Sequence, residues 1–176
     1  MDKPDISQIT DSLKEKFGDS IISNEQDYDF PVFTVDKNSV LVILRFLFDD
    51  DRFQFRFLTT LCGIHFPEKE KPYAMMYQVH SLVHNLRIRI KAFTTIDDLK
   101  FDSLTGLFSA ANWMEREAYD FYGIQFTNHP NLIRILNVDD MDYFPMRKEY
   151  PVEDLTRYDK DDTMFGREPA NFKKLN

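Results

Sequence analysis

Leu86-Arg87-Ile88-Arg89-Ile90-Lys91 alternates apolar and basic side chains without a break. Successive side chains of a strand point to opposite faces, so the run predicts a strand with one buried side and one basic side. The apolar run from Tyr73 to Leu82 precedes it, and the polar pair His84-Asn85 stands between them. Together they predict an antiparallel hairpin whose basic face is the ordinary wet side of a sheet.

Around the hairpin the chain offers further elements. Asp5 to Phe17 carries Ile6, Ile9, Leu13 and Phe17 at helical spacing, with Lys14 and Lys16 near its end and Gly18 beyond. That is an amphipathic helix with its start and stop signals in place. Ser20 to Ser23 and Pro31 to Val35 predict short strands. Val40 to Phe48 is apolar throughout; Ser39 as N-cap and the acidic stop Asp49-Asp50-Asp51 favour a buried helix. Phe53-Gln54-Phe55-Arg56-Phe57 alternates and predicts a strand, whereas Leu58 to Phe66 is less regular and broken at Gly63. Glu68 to Pro72 is a solvated turn. Asp97-Asp98 and Asp102-Ser103 lead into a long helix, with Ile124 to Phe126 and Ile133 to Leu136 as short strands after it.

On a wheel of about 100° per residue, Leu104, Leu107, Phe108, Ala111, Met114, Ala118, Phe121 and Tyr122 of that helix share one stripe. Glu115 lies within it. Trp113, Arg116, Glu117 and Asp120 fall on the other side, and Arg116 to Asp120 is the spacing of an ion pair. A carboxylate in an apolar stripe needs a cation, several N–H donors or a raised pKa, unless it sits wet at the rim. Arg134, Arg147 and Lys148 are candidate partners, as is an arginine of another protein. Trp113 beside Arg116 is either an interface anchor pair or is buried under the chain's own tail.

Composition excludes more than it selects. The 176 residues suit one domain and are marginal for two. A net charge of −8 argues against a phosphate-backbone binder, so no nucleic acid is expected. The single cysteine, Cys62, rules out an intrachain disulfide and any cluster held by several thiolates of this chain. The polar N-terminus has no signal-peptide pattern, and Val40 to Phe48 is too short to cross a bilayer, so no direct insertion is expected.

Five dispersed glycines offer neither a dinucleotide turn nor a Walker loop. Cys62-Gly63-Ile64-His65 reads as a core cysteine near a surface histidine, and His80 with His84 as strand and turn residues that do not converge on a metal. Glu115 and Glu117 point about 200° apart on a helix, so no matched acid and base share a face. From Asn137 onward acids, prolines and rings (Tyr143, Phe144, Tyr150, Tyr158, Phe165, Phe172) follow with no period. A tail so rich in aromatics favours a segment laid along another protein over a disordered one.

Ala110 to Ile124, followed by His129-Pro130-Asn131-Leu132 and Arg134-Ile135-Leu136, resembles the hallmark of the C subunit of NADH:quinone oxidoreductase, respiratory complex I. Pro145-Met146-Arg147-Lys148-Glu149-Tyr150-Pro151 is similar to that family's second block, and a weaker resemblance runs upstream through Pro31 to Val35 and the hairpin. Ile133 stands where the family is commonly basic, Phe144 where a small or polar residue often precedes the prolines, and Met146 and Glu149 are conservative replacements.

The resemblance implies an α+β fold of two layers, a mostly antiparallel sheet packed by helices on one face, with an extended irregular C-terminal tail. It implies a domain over 1–136 and a docking segment over 137–176. It further implies a non-catalytic subunit of the peripheral arm, docked chiefly against the D subunit with B nearby, at the cytoplasmic face of the bacterial inner membrane. This chain would bind no cofactor or metal; FMN, iron–sulfur clusters and quinone would belong to the partners during proton-translocating electron transfer from NADH. The docking and motif residues would be Trp113, Glu115, Arg116, Glu117, Asp120, Gly123, His129, Pro130, Arg134, Pro145, Arg147, Lys148, Tyr150 and Pro151. Two other readings stand beside it: the homologous subunit of a membrane-bound hydrogenase or ferredoxin-driven complex, and a free-standing enzyme using Glu115 or Asp120.

Overall fold

The first helix, α1 (Ile6–Phe17), begins at a capping box in which Asp5 accepts the Ile6 N–H at 2.7 Å while the Gln8 side chain accepts the Asp5 N–H at 3.0 Å. Orphan N–H groups at the helix start are thereby satisfied. Gly18, at φ 49°, ends the helix, and Ile9 and Leu13 are turned wholly inward. We describe residues 3–28 and 30–150 in a computed structural model of the chain.

Two strands follow, β1 (Ile21–Asp27) and β2 (Phe30–Val35), then α2 (Val40–Asp49). Ser39 does not cap α2: its hydroxyl pairs with that of Ser20 at 3.0 Å, and Asp36 caps the preceding turn by accepting the Asn38 N–H. Ile43, Leu44 and Leu47 of α2 are fully buried, each stabilising the fold by about 1.5–3 kcal/mol.

The expected strand over Phe53 to Phe57 is absent. Phe53 and Phe55 are buried, but Gln54 adopts φ 49° and the Phe55 N–H returns to the Leu47 carbonyl, so these rings plug the end of α2 from a turn. Alternating burial here marks two rings reaching the core, not an extended ladder. The strand begins where the turn ends, as β3 (Phe57–His65), and it runs straight through Gly63. A Cβ on Gly63 would meet Tyr122 Cδ2 at 2.7 Å and Ile124 Cδ1 at 2.9 Å. The glycine admits a neighbouring element and does not break the strand.

The expected hairpin is present as β4 (Tyr73–Ser81) and β5 (Leu86–Thr94), paired antiparallel in continuous register. The five-stranded sheet has the order β1-β2-β5-β4-β3, with β2 and β5 parallel and every other pair antiparallel. Phe33, Ile90, Tyr77 and Leu61 lie in one row across its helix-covered face. The opposite face carries Arg87, Arg89 and Lys91. This is the α+β, two-layer arrangement with helices on one face.

Beyond the sheet come β6 (Lys100–Asp102), α3 (Ala111–Tyr122) and β7 (Gln125–Thr127), with β6 and β7 parallel to each other. The expected long helix is therefore shorter. Leu104 and Phe108 are buried as their period requires, but they lie in a separate turn closed by Phe108 N–H on Leu104 C=O. Ile133 to Leu136 forms no strand, because its N–H groups have another acceptor. Pro151, Tyr158, Phe165 and Phe172 lie outside the described residues. Among the described residues, no helix is long and apolar enough to cross a membrane.

Gly63→Ala should cost about 1–3 kcal/mol, since the added methyl must displace Tyr122 or Ile124. Urea unfolding of the two proteins would show it, and an unchanged midpoint would mean that α3 does not depend on this close approach.

Candidate docking site

Helix α3 separates its side chains into an inner and an outer set, though not along the line that the helical wheel suggests. Glu115 and Asp120 are both fully buried, Trp113 is 58% exposed, and Glu117 is exposed. Asp120 thus leaves the outer face assigned to it. The reason is a second layer of chain, residues 129–150, that folds over the C-terminal half of the helix.

Asp120 is the centre of that layer. Its Oδ2 accepts the backbone N–H groups of Ile135, Leu136 and Asn137 at 3.1, 2.8 and 2.9 Å. Its Oδ1 accepts from Asn137 Nδ2 at 3.0 Å and from Arg134 Nη1 at 2.7 Å. Burial opposes ionisation of this carboxyl, but the Asn137 and Leu136 amides, the Asn137 side chain and Arg134 outweigh it and hold the pKa well below the usual range. Arg134 also donates to the Met141 and Tyr143 carbonyls and lies over the Phe144 ring. One ion pair therefore fixes the path of about ten residues, counted along the chain from Arg134 to Phe144.

Arg116 does not pair with Asp120, as the helical spacing had suggested. Its guanidinium donates to the carbonyls of Ile133 at 3.1 Å and Arg134 at 3.0 Å and stacks on the Trp113 indole at 5.1 Å. The indole is not covered by the described part of the tail. His129 clips the same loop to the start of α3: Nε2 meets the Asn112 carbonyl at 3.1 Å, and Nδ1 accepts the Asn131 N–H at 3.0 Å. Those partners select the tautomer protonated at Nε2. Pro130 stands exposed beside it.

The second motif block closes over the end of α3. Gly123, at φ 76°, ends the helix with its N–H on the Tyr119 carbonyl. A Cβ there would meet Phe144 at 2.6 Å and Arg147 Nη2 at 2.7 Å, so conformation and space both require glycine. Arg147 donates from Nε to the Tyr122 carbonyl at 2.9 Å, with its guanidinium near the rings of Phe144 and Tyr73. The Lys148 N–H donates to Nδ1 of His65 at 3.0 Å. His65 is consequently a buried ring stacked on Tyr73, and the surface position read from the sequence is corrected. Pro145 is half-buried, Tyr150 packs on Tyr143 at 5.0 Å, and Pro151 lies outside the described residues.

Glu115 is bound neither by Arg134 nor by Arg147 or Lys148. It accepts the Leu104 N–H at 2.6 Å and the Ser103 hydroxyl at 2.7 Å, which tie the turn after β6 to α3. Burial pushes its pKa up to about 7, with those two bonds opposing the rise. The Tyr77 hydroxyl, itself raised by burial and by the nearby Glu115 and Asp102 carboxylates, belongs to the same interior.

Two residues that sequence reasoning passed over belong to this site. Asn137 supplies two of the donors to Asp120, and Phe144 is the ring that both arginines use. Asn137 carries no sequence signal beyond its place next to a motif, and Phe144 was read only as one of the tail's rings and as a departure from the family block. The charges and rings of the two motif blocks build one surface around α3, with Trp113, Ile133, Leu136, Val138 and Met146 exposed on it.

Residues 33–156 match the family described as the respiratory-chain NADH dehydrogenase, 30 Kd subunit. The C subunit of NADH-quinone oxidoreductase from Citrifermentans bemidjiense is 39% identical over 141 residues, covering 80% of this chain and 86% of the relative. The protein of the same name from Methylobacterium sp. is 33% identical over 171 residues, 96% of this chain and 79% of the relative. Among solved structures, a trypsin-resistant fragment of Nqo5 superposes with a TM-score of 0.61 at 21% identity, over 70% of this chain and 98% of the fragment. A chain of the membrane-bound sulfane sulfur reductase, an archaeal respiratory membrane complex, superposes with a TM-score of 0.71 at 18% identity, over 89% of this chain and 96% of its own. At such identities these two structures speak for the fold alone.

The two buried carboxylates should give opposite pH signatures. Folded Glu115 keeps its proton up to about pH 7, whereas the unfolded chain releases it near 4.5, so folding binds a proton in between and stability falls as pH rises through that window. The fall is on the order of 3 kcal/mol at about 1.4 per unit. Glu115→Gln should flatten it, gaining about 1–3 kcal/mol at pH 8 and little at pH 5. Parallel stability–pH curves for the two proteins would refute this. Asp120, with its lowered pKa, adds stability that is present above its ordinary 3.8 and lost as pH falls below it. Asp120→Ala should therefore cost about 3–5 kcal/mol at pH 7 and release residues 134–144 to fast amide exchange.

Proposed function

The chain belongs to the family of the 30 Kd subunit of respiratory-chain NADH dehydrogenase, and from that premise we propose that it is the non-catalytic scaffold subunit of the peripheral arm of a proton-translocating NADH:quinone oxidoreductase. In this reading the α3 surface docks against the quinone-proximal D subunit, with B adjacent. FMN, iron–sulfur clusters and quinone reside in the partners, and the chain sits peripherally at the cytoplasmic face of the bacterial inner membrane through them. Residues 137–176 form the docking segment in this reading.

The observation that carries the reading is the fixed, exposed indole of Trp113. Its neighbour Arg116 is occupied by two backbone carbonyls, and the loop bearing those carbonyls is pinned by Asp120. Trp and Arg anchors held before contact lose little entropy on binding, which is how a small number of residues comes to dominate an interface. The exposed Ile133, Leu136, Val138 and Met146 supply apolar area around them. Electron transfer between cofactors tolerates little displacement of the proteins that hold them. A rigid face that sets two neighbours in register therefore affects turnover with no reacting group of its own.

Trp113 is 58% exposed and its ring lies against the exposed-side guanidinium of Arg116, so the isolated Trp113→Ala chain should unfold within about 1 kcal/mol of the parent. The amount of assembled complex recovered from membranes should fall several-fold, as should that of Glu117→Ala to a smaller degree. Native mass spectrometry of a gentle membrane extract reads both the amount and the partners. Full assembly with slowed turnover would instead give this face a direct part in the reaction. Partners belonging to a hydrogenase or ferredoxin-driven complex would move the chain to that relative, and substrate turnover by the purified monomer would favour a free-standing enzyme.

A further inference from the structure

Glu115 stands at the inner end of a chain of hydroxyl groups that leads out of the protein. Its Oε2 meets Ser103 Oγ at 2.7 Å, and Ser103 Oγ meets Thr105 Oγ1 at 2.8 Å, a contact in which either oxygen can be the donor. Burial falls along the same line. Glu115 is wholly buried, Ser103 nearly so, and Thr105 is half-buried beside the exposed Gly106. The backbone holds the chain in place: the Ser103 N–H donates to the Thr127 carbonyl of β7 at 2.9 Å, and the Thr105 N–H donates to Ser103 Oγ at 3.2 Å. The other carboxylate oxygen, Oε1, is taken by the Leu104 N–H at 2.6 Å.

A serine hydroxyl has one proton to donate and two lone pairs to fill. With Glu115 ionised, Ser103 donates to Oε2 and accepts from the amide and the hydroxyl of Thr105. With Glu115 neutral, the carboxyl proton on Oε2 is donated to Ser103 Oγ, Ser103 donates to Thr105 Oγ1, and the amide bond is unchanged. Ser103 is fully satisfied in both states, and both O···O distances suit either direction of donation, so no heavy atom has to move. Other titratable groups around α3 offer no competing route. On β4 the Tyr77 hydroxyl, which feels Glu115 and Asp102, is buried without a hydrogen-bond partner, and Asp102 itself is exposed at the end of β6. On β3 Cys62 responds to Glu117 and Arg89, and His65 accepts the Lys148 N–H. In the outer layer Arg134 donates to Asp120 and Arg147 to the Tyr122 carbonyl.

We propose that the hydroxyls of Ser103 and Thr105 form a reversible proton relay between the buried carboxyl of Glu115 and water. On loading, a hydronium ion gives a proton to Thr105 Oγ1, the former Thr105 hydroxyl proton passes to Ser103 Oγ, and the former Ser103 proton passes to Glu115 Oε2. Three O–H bonds form and three break, and one proton has moved from solvent to the carboxyl. Release runs the same steps backwards. The buried acid thus exchanges its proton while α3 stays packed and every partner stays bonded. A clasp that only held α3 to the turn after β6 would need Ser103 and Leu104 alone. The hydroxyl of Thr105 is what extends it to the surface.

Titration of the full chain labelled with carbon-13 glutamate tests this, the Glu115 carboxyl resonance being assigned by its loss in Glu115→Gln. Thr105→Val keeps the shape of the side chain but leaves the Ser103 proton without an acceptor when Glu115 is neutral, whereas the ionised state loses only a bond to a lone pair. The Glu115 midpoint should therefore fall by about half a pH unit or more. Ser103→Ala takes a donor from the ionised form and should raise the midpoint. Proton uptake after a pH jump, followed by the carboxyl infrared band, should slow about tenfold or more in Thr105→Val, and Thr105→Ser should restore both midpoint and rate. Uptake in Thr105→Val at the parent's rate would overturn the relay whatever the midpoints, and so would midpoints that move the same way in Thr105→Val and Ser103→Ala. Where Ser103→Ala fails to fold, the half-buried pair Thr105→Val and Thr105→Ser decides the matter by rate alone.

Discussion

Five donors meet the carboxylate of Asp120, three of them consecutive backbone amides. Without that anion, the N–H groups of residues 135–137 would face a helix with nothing to accept them. The stretch has no strand partner that could take their place, and an unmet buried amide costs more than a typical hydrogen bond returns. The same interaction fixes Arg134, whose remaining donors reach the Met141 and Tyr143 carbonyls, and so it sets where Phe144 and Arg147 can pack. The irregular layer over α3 owes its shape to electrostatics, where a sheet or helix owes it to a ladder.

The contrast with Glu115 shows how donor number decides the fate of a buried acid. Both carboxylates lie on α3, five residues apart, and both are withdrawn from water. Asp120, with five donors and a guanidinium among them, is held ionised. Glu115, with two donors and no cation, is lifted to about 7. Two hydrogen bonds do not offset the desolvation of a carboxylate, whereas five with an ion pair do. On this ground Glu115 serves as a neutral or half-neutral clasp between α3 and the turn at Ser103, and Asp120 as a permanent anchor for the outer layer.

The hairpin and α1 were legible from periodicity, and α1 also from capping chemistry within a few residues, whereas α2 was legible from its apolar run and acidic stop although Ser39 does not cap it. The strand read over Phe53 to Phe57 failed because two buried rings in a turn mimic alternation when the intervening Gln54 turns to positive φ. Gly63 was misread for a related reason. Its missing side chain answers to Tyr122 and Ile124, some sixty residues away, and no local window contains them. At the site, the composition of the two motif blocks was visible, and so was the need of Glu115 for donors. The pairing was not. Helical spacing offered Arg116 to Asp120, but a guanidinium at that spacing had better partners in the carbonyls of a loop whose position only the fold could give.

What this arrangement can accomplish follows from where its polar groups are committed. Arg116, Arg134 and Arg147 direct their donors to main-chain carbonyls or to Asp120, and the rings of His129 and His65 tie the same layer to α3 and to β3. Groups committed in this way do not reorganise cheaply, because each departure would leave a polar partner of the layer without its hydrogen bond. They do hold exposed side chains at fixed positions. The indole of Trp113 is therefore presented at a set position beside Arg116 on the α3 surface. A set path for residues 129–150 over α3 is the property that the network confers.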